Sequence, residues 1–317
     1  TQQDYQGMRA FFAQVKYKKL GETEALLAEG DPKSKHPRTG APIFPYALGT
    51  AMPEAAPEGD RRQALADWMT QPDNPWFARN LANRIWAHFM GRGLIEPVDD
   101  LRATNPPSNP ELMTALAKAL AENEYDLRAM IRLITASRTY QLSSEPNATN
   151  ELDERNYSRA LLRRLPAEVL LDAVSQVTGV EEKFHGVPAG VRAIQLWDSQ
   201  VQHYFLKLFG RPARASVCEC ERAVGASIAQ ALHLMNSPEL EAKLAHAGGH
   251  LGRLEQRHAD DAALARQLYL TIYNREPNVA ERDRATQHLG SRRAHRRKAV
   301  EDLAWAMLNS VEFIFNH

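Results

Sequence analysis

The chain has 317 residues, 44% of them hydrophobic and 25% charged, which is an ordinary composition for one large or two medium globular domains. Its 39 basic residues balance its 39 acidic residues, so no net field attracts nucleic acid or an anionic membrane surface. Two cysteines are too few for a disulfide framework, and no apolar run approaches the roughly 20 residues that cross a bilayer, so neither a disulfide scaffold nor a membrane span is expected.

The amino-terminal 60 residues carry the weakest periodic pattern. The chain begins at Thr1 with neither an initiator methionine nor the charged-then-apolar pattern of a secretory signal, so we expect a piece of a longer protein. Residues 28–60 are rich in proline and glycine and lack a sustained helical or strand period. We therefore predict a connecting arm in that range.

The pattern changes at Asp60, a favourable helix cap, after which apolar residues recur at helical spacing. A second, stronger helix follows until Gly91 offers a left-handed stop, and further helices are predicted after Glu111 and Asp126. The apolar positions of the four helices are Leu65, Trp68 and Met69; Phe77, Leu81, Ile85 and Phe89; Leu112, Leu116 and Leu120; and Leu127, Met130, Ile131 and Ile134.

A polar segment, residues 143–156, is the clearest internal boundary. The helix beyond it has Pro166 near its start and Gly179 past its end, as helix termini prefer. Residues 180–216 are irregular, and we predict a short strand or two around residues 193–196. Helices are predicted again at about 225–234, 237–246 and 261–273, and a last one places on one face Val300, Leu303, Ala304, Met307 and Leu308.

These patterns predict a mainly α fold, a multi-helical globular module with long irregular connections and at most a minor short β element. The first helical part covers residues 61–145 and the second covers residues 157–317. We expect the two parts to pack as one module.

Several long motifs follow one another along the chain. They are NRIWAHFMGRGLIEPVDDLRATNPPSNPEL, SRTYQLSSEPN, RRLPAEVLLDAVSQVTG, YFLKLFGRP, RASVCECERA, LHLMNSPEL and EDLAWAMLNSVEFIFNH. From about Arg61 to His317 the chain resembles domain of unknown function 1553, the carboxy-terminal module of large planctomycete proteins. The opening TQQDYQGMRAFFAQVKY resembles the tail of the companion domain that usually precedes it, so residues 1–60 are assigned to that tail and the connecting arm.

The resemblance implies an exported protein, periplasmic or extracellular, whose partners are companion domains of the same polypeptide. Such proteins often carry a c-type cytochrome domain near the amino terminus. This chain has no Cys-x-x-Cys-His motif, so any haem would belong to an upstream domain and no cofactor is expected here. An extracellular polysaccharide is the ligand that the location suggests, and the resemblance implies no established reaction.

Cys218 and Cys220 lie one residue apart in RASVCECERA, and three interpretations stay open. Buried structural thiols are favoured, with Glu221 and Arg222 anchoring the loop by ion pairs. A disulfide over this spacing is strained and labile, which suits a redox role in an exported protein. A metal site would need two more ligands, which His203 and His233 supply only if folding brings them close.

A polar stripe of Asn80, Arg84 and His88 runs along the strong helix at four-residue spacing. It could line a cleft in which the Arg84 guanidinium binds a carboxylate or sulfate. The favoured interpretation is that Asn83 and Arg84 tie the helix to neighbouring loops.

Asp99 and Asp100 could act as general acid and base, or as calcium ligands beside a third carboxylate. Adjacent side chains on an extended segment point to opposite faces, however. We therefore favour one aspartate capping a turn while the other meets an arginine such as Arg84.

Three further patterns have structural interpretations. Residues 91–93 are expected to form a helix stop, because a phosphate loop lies between a strand and a helix. His246 and His250 have the spacing of helical metal ligands, yet two glycines intervene and should end the helix. The basic residues within 291–302 are followed by acidic ones and are expected to form a solvated face. We predict no metal site and no catalytic residue.

Two functions remain. The favoured one is a non-catalytic scaffold or interaction module of a larger exported, cytochrome-associated protein. The alternative is a polysaccharide-active or redox-linked enzyme domain with a cleft near Arg84, Asp100 and the Cys218/Cys220 loop. A scaffold predicts Arg84 and Asp100 buried in mutual ion pairs, whereas a glycoside hydrolase predicts an open polar cleft where at least two carboxylates converge.

Overall fold

The structure is a computed structural model, and it describes residues 1–21, 23–29, 34–55, 58–197, 201–212 and 227–316. It is 49% helical, with only small two-stranded sheets, so the predicted mainly α class is confirmed. The longest described helix has 14 residues, and no described helix is both long and apolar enough to cross a membrane.

Side-chain caps start the helices where the sequence places them. The Asp60 and Asp126 carboxylates and the Asn109 amide accept hydrogen bonds from amides in the first turns that follow them. The helices are α1 (Gln2–Ala10), α2 (Arg61–Met69), α3 (Phe77–Met90), α4 (Pro110–Glu122), α5 (Leu127–Thr135), α6 (Ala167–Thr178), α7 (Tyr204–Leu208), α8 (Ile228–Asn236), α9 (Pro238–Ala245), α10 (His250–Arg257), α11 (Asp261–Ile272), α12 (Val279–Ser291), α13 (Arg296–Leu308) and α14 (Val311–Ile314).

The strands are short, and each pairs antiparallel with one neighbour. The longest pair is a hairpin in which Tyr17 lies opposite Leu26 and Lys19 lies opposite Glu24. The pairs are β1 (Lys16–Leu20) with β2 (Thr23–Leu27), β3 (Ser34–Lys35) with β4 (Pro42–Ile43), and β5 (Arg163–Arg164) with β6 (Phe315–Asn316).

The chain divides into two compact units, Thr1–Ala160 and Leu161–His317, just after the polar segment. That segment is held by its own hydrogen bonds. The Asp153 carboxylate accepts from the Ser158 hydroxyl and from the amides of Asn156 and Arg155. These bonds, that from Ser158 most, hold the pKa of Asp153 well below its ordinary value.

The first unit has its main core between α3, α4 and α5. The apolar side of α3 is centred on Ala82 and Trp86, while the predicted positions Leu81 and Ile85 pack at its margin. The buried side chains of this core are Ala82, Trp86, Met90, Leu94, Ile95, Met113, Leu116, Leu120, Met130 and Ile134.

Residues before Arg61 share a second, smaller core with α2. Phe11 and Ala47 are buried against Leu65. The Arg61 guanidinium donates to the carbonyl of Ala10 at 3.4 Å. The segment assigned to a tail and an arm therefore contributes packing to the same compact unit.

The second unit packs α6 against α7, α9 and α10, and its core continues through α11 to α14. Leu170, Leu206, Leu264 and Leu289 are completely or almost completely buried in it. The predicted apolar face of α13 is confirmed, because Val300, Ala304, Met307 and Leu308 are buried and Leu303 packs against them.

The strand prediction around residues 193–196 is wrong. The segment forms a 3-10 turn, Ala193–Gln195. The Asp172 carboxylate accepts the amides of Ala193 at 2.7 Å and Ile194 at 3.1 Å, and this anchor on α6 bends the backbone away from an extended course. The residue patterns do not predict the helices α1, α7, α10, α12 and α14 or the β1–β2 hairpin, and α7 lies within the range 180–216 that is predicted as irregular.

Candidate functional site

The buried amide of Asn83 joins α3 to the loop that follows it. The side chain is fully buried, at 0% exposure. Its Nδ2 donates to the carbonyls of Ile95 and Val98, both at 2.9 Å, and its Oδ1 accepts the amide of Ile95 at 3.0 Å. One side chain thus satisfies three backbone groups of the loop, and the predicted tie through Asn83 is confirmed.

Two glycines shape the turn between Asn83 and its partners. Gly91 ends α3 at φ 82°, in the left-handed region that glycine enters without a steric penalty. A Cβ on Gly93 would lie 2.5 Å from the Ile95 carbonyl oxygen and 3.0 Å from the Asn83 amide. The predicted helix stop is confirmed. We call Asn83 and the loop 91–98 the amide lock.

Glu96, within the loop of the amide lock, and Tyr157 add hydrogen bonds to the backbone at Gly93. The Glu96 carboxylate accepts the Gly93 amide at 2.5 Å, and the Tyr157 hydroxyl donates to the Gly93 carbonyl at 2.8 Å. The Tyr157 ring packs edge-on against Trp86, with ring centroids 5.3 Å apart. Burial raises the pKa of Tyr157, so its hydroxyl remains a protonated donor.

Each of the two aspartates after the lock meets a different arginine, so the prediction of a mutual ion pair between Arg84 and Asp100 is wrong. Asp99 lies 4.0 Å from the Arg84 guanidinium. Asp100 forms a two-pronged ion pair with Arg102, with both nitrogen–oxygen distances at 2.6 Å. The hydrogen bonds from Arg102 lower the pKa of Asp100, which keeps this carboxyl ionised.

The other members of the polar stripe are Asn80 and His88. Asn80 is half-buried, and its Oδ1 accepts no hydrogen bond from the described part of the chain. His88 is exposed, and its ring lies edge-on to Phe89 with centroids 5.1 Å apart. The stripe therefore exists on α3, but its members have different degrees of burial.

A group of ionisable side chains that sequence spacing did not reveal lies beside the carboxyl end of α6. The Lys243 ammonium of α9 donates to the Val180 carbonyl at 2.9 Å and to the Ser175 hydroxyl at 3.3 Å. It also lies 3.1 Å from one Glu182 oxygen, while Nε2 of His203 lies 3.6 Å from the other. We call Glu182, His203 and Lys243 the charged cluster. A cation here also complements the helix dipole.

The charged cluster keeps Glu182 ionised. Burial alone would raise the pKa of Glu182, but the His203 hydrogen bond and the Lys243 charge outweigh it and lower the pKa to about 2 from 4.5. The Lys243 nitrogen lies against the Glu182 carboxylate, the Val180 carbonyl and the Ser175 hydroxyl, so one side chain makes three polar contacts at the end of α6.

His203 and His233, the extra ligands that a metal site would need, lie in one aromatic neighbourhood. His203 packs on Phe184 with ring centroids 5.3 Å apart, and His233 packs on Tyr204 at the same distance. Burial lowers the pKa of His233, and His203 adds to the effect. No group of three or more His, Cys, Asp or Glu within the described ranges could hold a metal ion.

The cysteine loop lies outside the described residues. Cys218, Cys220, Glu221 and Arg222 all fall within 213–226. The structural, redox and metal interpretations of that loop therefore stay predictions.

Two arginines of the basic run, Arg296 and Arg297, are less exposed than a solvated face requires. The Arg296 guanidinium binds the Asp261 carboxylate at 2.9 Å, and Arg297 binds Glu301 at 2.8 Å. Arg297 also donates to the Leu244 carbonyl at 2.8 Å. Their side chains are only 18% and 30% exposed, so the solvated-face prediction is wrong for these two residues.

The prediction that the glycines between His246 and His250 end the helix is confirmed. His246 caps the end of α9 and His250 begins α10. Nδ1 of His250 lies 3.0 Å from the Gln176 carbonyl oxygen. The glycines between the histidines interrupt the helix, so the pair does not share a helical face.

A family model described as PSD1, protein of unknown function (DUF1553), matches residues 61–289. The match begins at the first residue of α2 and covers the amide lock and the charged cluster. Searches of curated proteins and of solved structures gave no match.

Proposed function

The chain belongs to the family of PSD1, protein of unknown function (DUF1553), and on that premise we propose that it is a non-catalytic scaffold or interaction module of a larger exported, cytochrome-associated protein. In this proposal the partners are companion domains of the same polypeptide, periplasmic or extracellular. Haem, where such a protein has it, is carried by an upstream domain and not by this chain.

The amide lock is the observation that carries the proposal. An active site turns polar groups toward the space where a substrate binds, and its pKa values are often shifted toward catalysis. The polar groups of Asn83, Glu96 and Tyr157 are instead bonded to the main chain of the loop they surround. A family motif used in this way supports a role in fixing the backbone.

The enzymatic alternative, with a cleft near Arg84, Asp100 and the Cys218/Cys220 loop, has less support. Glycoside hydrolysis uses one carboxyl with a raised pKa as acid, together with an ionised partner. The pKa of Asp100 is lowered by its hydrogen bonds with Arg102. This shift suits the ionised partner and is opposite to the one that the general acid needs, so Asp100 does not supply the acid of a glycosidase.

Reducing-end release tests the proposal against hydrolysis. The 317-residue chain is incubated with xylan, pectin, carrageenan and chondroitin sulfate, beside the variants Asp100→Asn and Asp99→Asn. We expect no release above the buffer value for any of the three proteins. We also expect the chain to bind the separately expressed upstream part of its polypeptide in analytical ultracentrifugation.

Release by the wild type that falls about 100-fold or more in Asp100→Asn would overturn the proposal. Absence of binding to the upstream part would contradict the interaction role. Asp99→Asn is the matched control, because it removes a neighbouring carboxylate.

The redox form of the alternative has its own test. Alkylation followed by mass measurement counts the free thiols of the oxidised protein. A Cys218–Cys220 disulfide gives none before reduction and two after it, whereas buried structural thiols give two after unfolding without reductant. The scaffold proposal expects the second result.

A further inference from the structure

The β1–β2 hairpin has no core of its own. All five residues of β1 are exposed, and the exposed fractions of Tyr17, Leu20 and Leu26 are 74%, 53% and 50%. An isolated two-stranded hairpin is marginally stable in water, and a third strand or a covering layer stabilises it. The hairpin thus lacks a covering layer in the described part of the chain.

The base of the hairpin is nevertheless anchored. The Val15 amide donates to the Phe12 carbonyl at 3.0 Å in the turn that leads from α1 into β1. Phe11, next to that turn, is buried against Leu65 of α2. The packed end of α1 therefore presents the hairpin, and β1 begins a few residues beyond a fixed point.

Each strand of the hairpin has one edge that is not paired with the other strand. β1 and β2 form a sheet of two strands, so the amides and carbonyls along the outer side of each have no strand partner among the described residues. Such an edge is a template for an additional strand. A docked segment would gain main-chain hydrogen bonds along β1 and apolar contact with Tyr17 and Leu20.

The lysines of β1 determine which strand fits. Lys16, Lys18 and Lys19 are all exposed on this five-residue strand. Lysines on an edge discourage neutral and basic strands, and β1 pairing with β1 of a second copy would oppose lysines to lysines. An acidic strand converts the same positions into opposite-charge pairs. The hairpin already contains one such pair, Lys19 opposite Glu24.

We propose that the outer edge of β1 is a docking edge for an acidic, extended polypeptide segment, which adds to the hairpin as a third strand. The inference rests on the proposed interaction role and deepens it, because it names the surface and the chemistry of the partner. The segment carries carboxylates opposite the lysines and apolar residues opposite Tyr17 and Leu20.

Peptide binding to the whole 317-residue chain tests the docking edge. The probe is fluorescent Thr-Val-Glu-Glu-Val-Glu-Thr, in which valines can lie opposite Leu20 and Tyr17 and glutamates opposite the three lysines, and binding is followed by anisotropy. One control replaces both valines with proline, which keeps the charge but removes a main-chain donor on each side of the segment. A second control replaces each glutamate with lysine. We expect the proline and lysine peptides to bind at least about tenfold more weakly. Hydrogen exchange of amides 16–20 should slow about tenfold with the acidic probe.

Charge reversal localises the site. The triple variant Lys16→Glu, Lys18→Glu and Lys19→Glu should no longer bind the acidic peptide and should bind the basic one. The matched triple variant Lys118→Glu, Lys183→Glu and Lys207→Glu changes three exposed lysines elsewhere and should bind like the wild type.

Three results overturn the docking edge: no binding of the acidic peptide, equal binding of the proline peptide, or unchanged binding by the triple variant. Protection of amides 16–20 that grows with protein concentration in the absence of peptide assigns the edge to a second copy and also overturns it. None of these results alters the reducing-end assay, so this proposal and the non-catalytic role fail separately.

Discussion

The amide lock of the first unit and the charged cluster of the second perform the same structural task with different chemistry. The lock joins α3 to the loop after it through one neutral amide that is fully buried. The cluster joins the end of α6 to α9 through Glu182 and Lys243, whose side chains are 22% and 12% exposed. Each connection fixes the backbone just beyond a helix that ends at a left-handed glycine.

The difference in burial follows from the cost of removing charge from water. A buried ion must regain several kcal/mol of lost hydration from its partners, whereas a neutral amide needs only matched hydrogen bonds. The neutral Asn83 side chain can therefore lie in the interior, while Glu182 and Lys243 keep some contact with water. We expect the Asn83 hydrogen bonds to be insensitive to pH and the cluster to weaken in acid.

The largest effect is expected at Asn83. The substitution Asn83→Ala leaves the amide of Ile95 and the carbonyls of Ile95 and Val98 without their partner in a buried site. Each unsatisfied group costs about 1–3 kcal/mol, so the free energy of unfolding should fall by about 4 kcal/mol. Urea denaturation followed by tryptophan fluorescence measures the change.

Asn123→Ala is the matched control for the lock. The Asn123 side chain is exposed and donates to one helix carbonyl, that of Ala119 at 2.7 Å. Its loss should cost less than about 1 kcal/mol. Equal destabilisation by the two variants would show that Asn83 has no special role in holding the loop.

Gly93→Ala tests the space that the lock requires. The new Cβ would lie 2.5 Å from the Ile95 carbonyl oxygen, closer than such atoms approach, so the loop must shift. We expect a destabilisation of about 2–3 kcal/mol by urea denaturation. Gly190→Ala removes a glycine at φ 82° that has open space around it, so its effect should come from backbone strain alone and be about 1 kcal/mol. A Gly93→Ala variant as stable as the wild type would contradict the close packing.

Periodicity and local stop signals in the sequence predict several elements correctly. The apolar repeat and Gly91 predict α3 and its end, and Asn83 is predicted to bond α3 to a neighbouring loop. α12 was missed because its buried side chains are only Ala285 and Leu289, too few for a clear stripe. The hairpin was missed because β1 is exposed throughout, so its apolar and polar residues do not alternate.

The charged cluster could not be predicted for a different reason. Glu182, His203 and Lys243 come from separate parts of the chain, and only the packing of α6 with α9 brings the outer two together. A residue pattern records local spacing and carries no signal for such a meeting. The same limit applied to Asp172, whose contact with the amide of Ala193 replaced a predicted strand by a turn.

Glu182→Gln tests the acid sensitivity of the cluster. The pKa of Glu182 is about 2 in the folded chain against an ordinary 4.5, so its stabilisation is complete above pH 4.5 and is lost as the pH falls toward 2. At pH 7 the variant should be about 2 kcal/mol less stable, and at pH 3.5 the deficit should shrink by about 1 kcal/mol. Glu181→Gln changes an exposed neighbour and should show neither effect. A deficit that is constant with pH would contradict the charged mechanism.

The smallest effect on stability is expected at the surface ion pair of Asp100 and Arg102. This pair distinguishes a change in the free energy of unfolding from a change in the pKa of Asp100. The Arg102 side chain is 75% exposed, so its ion pair is screened by water and salt, and Arg102→Ala should leave the urea midpoint unchanged within error. The pKa of Asp100 should nevertheless rise toward its ordinary value, because the hydrogen bonds that lower it are gone. Carboxyl NMR titration measures that shift. An unchanged pKa of Asp100 would mean that the ion pair does not form in solution, and a large loss of stability would mean that this pair supports the fold as the amide lock does.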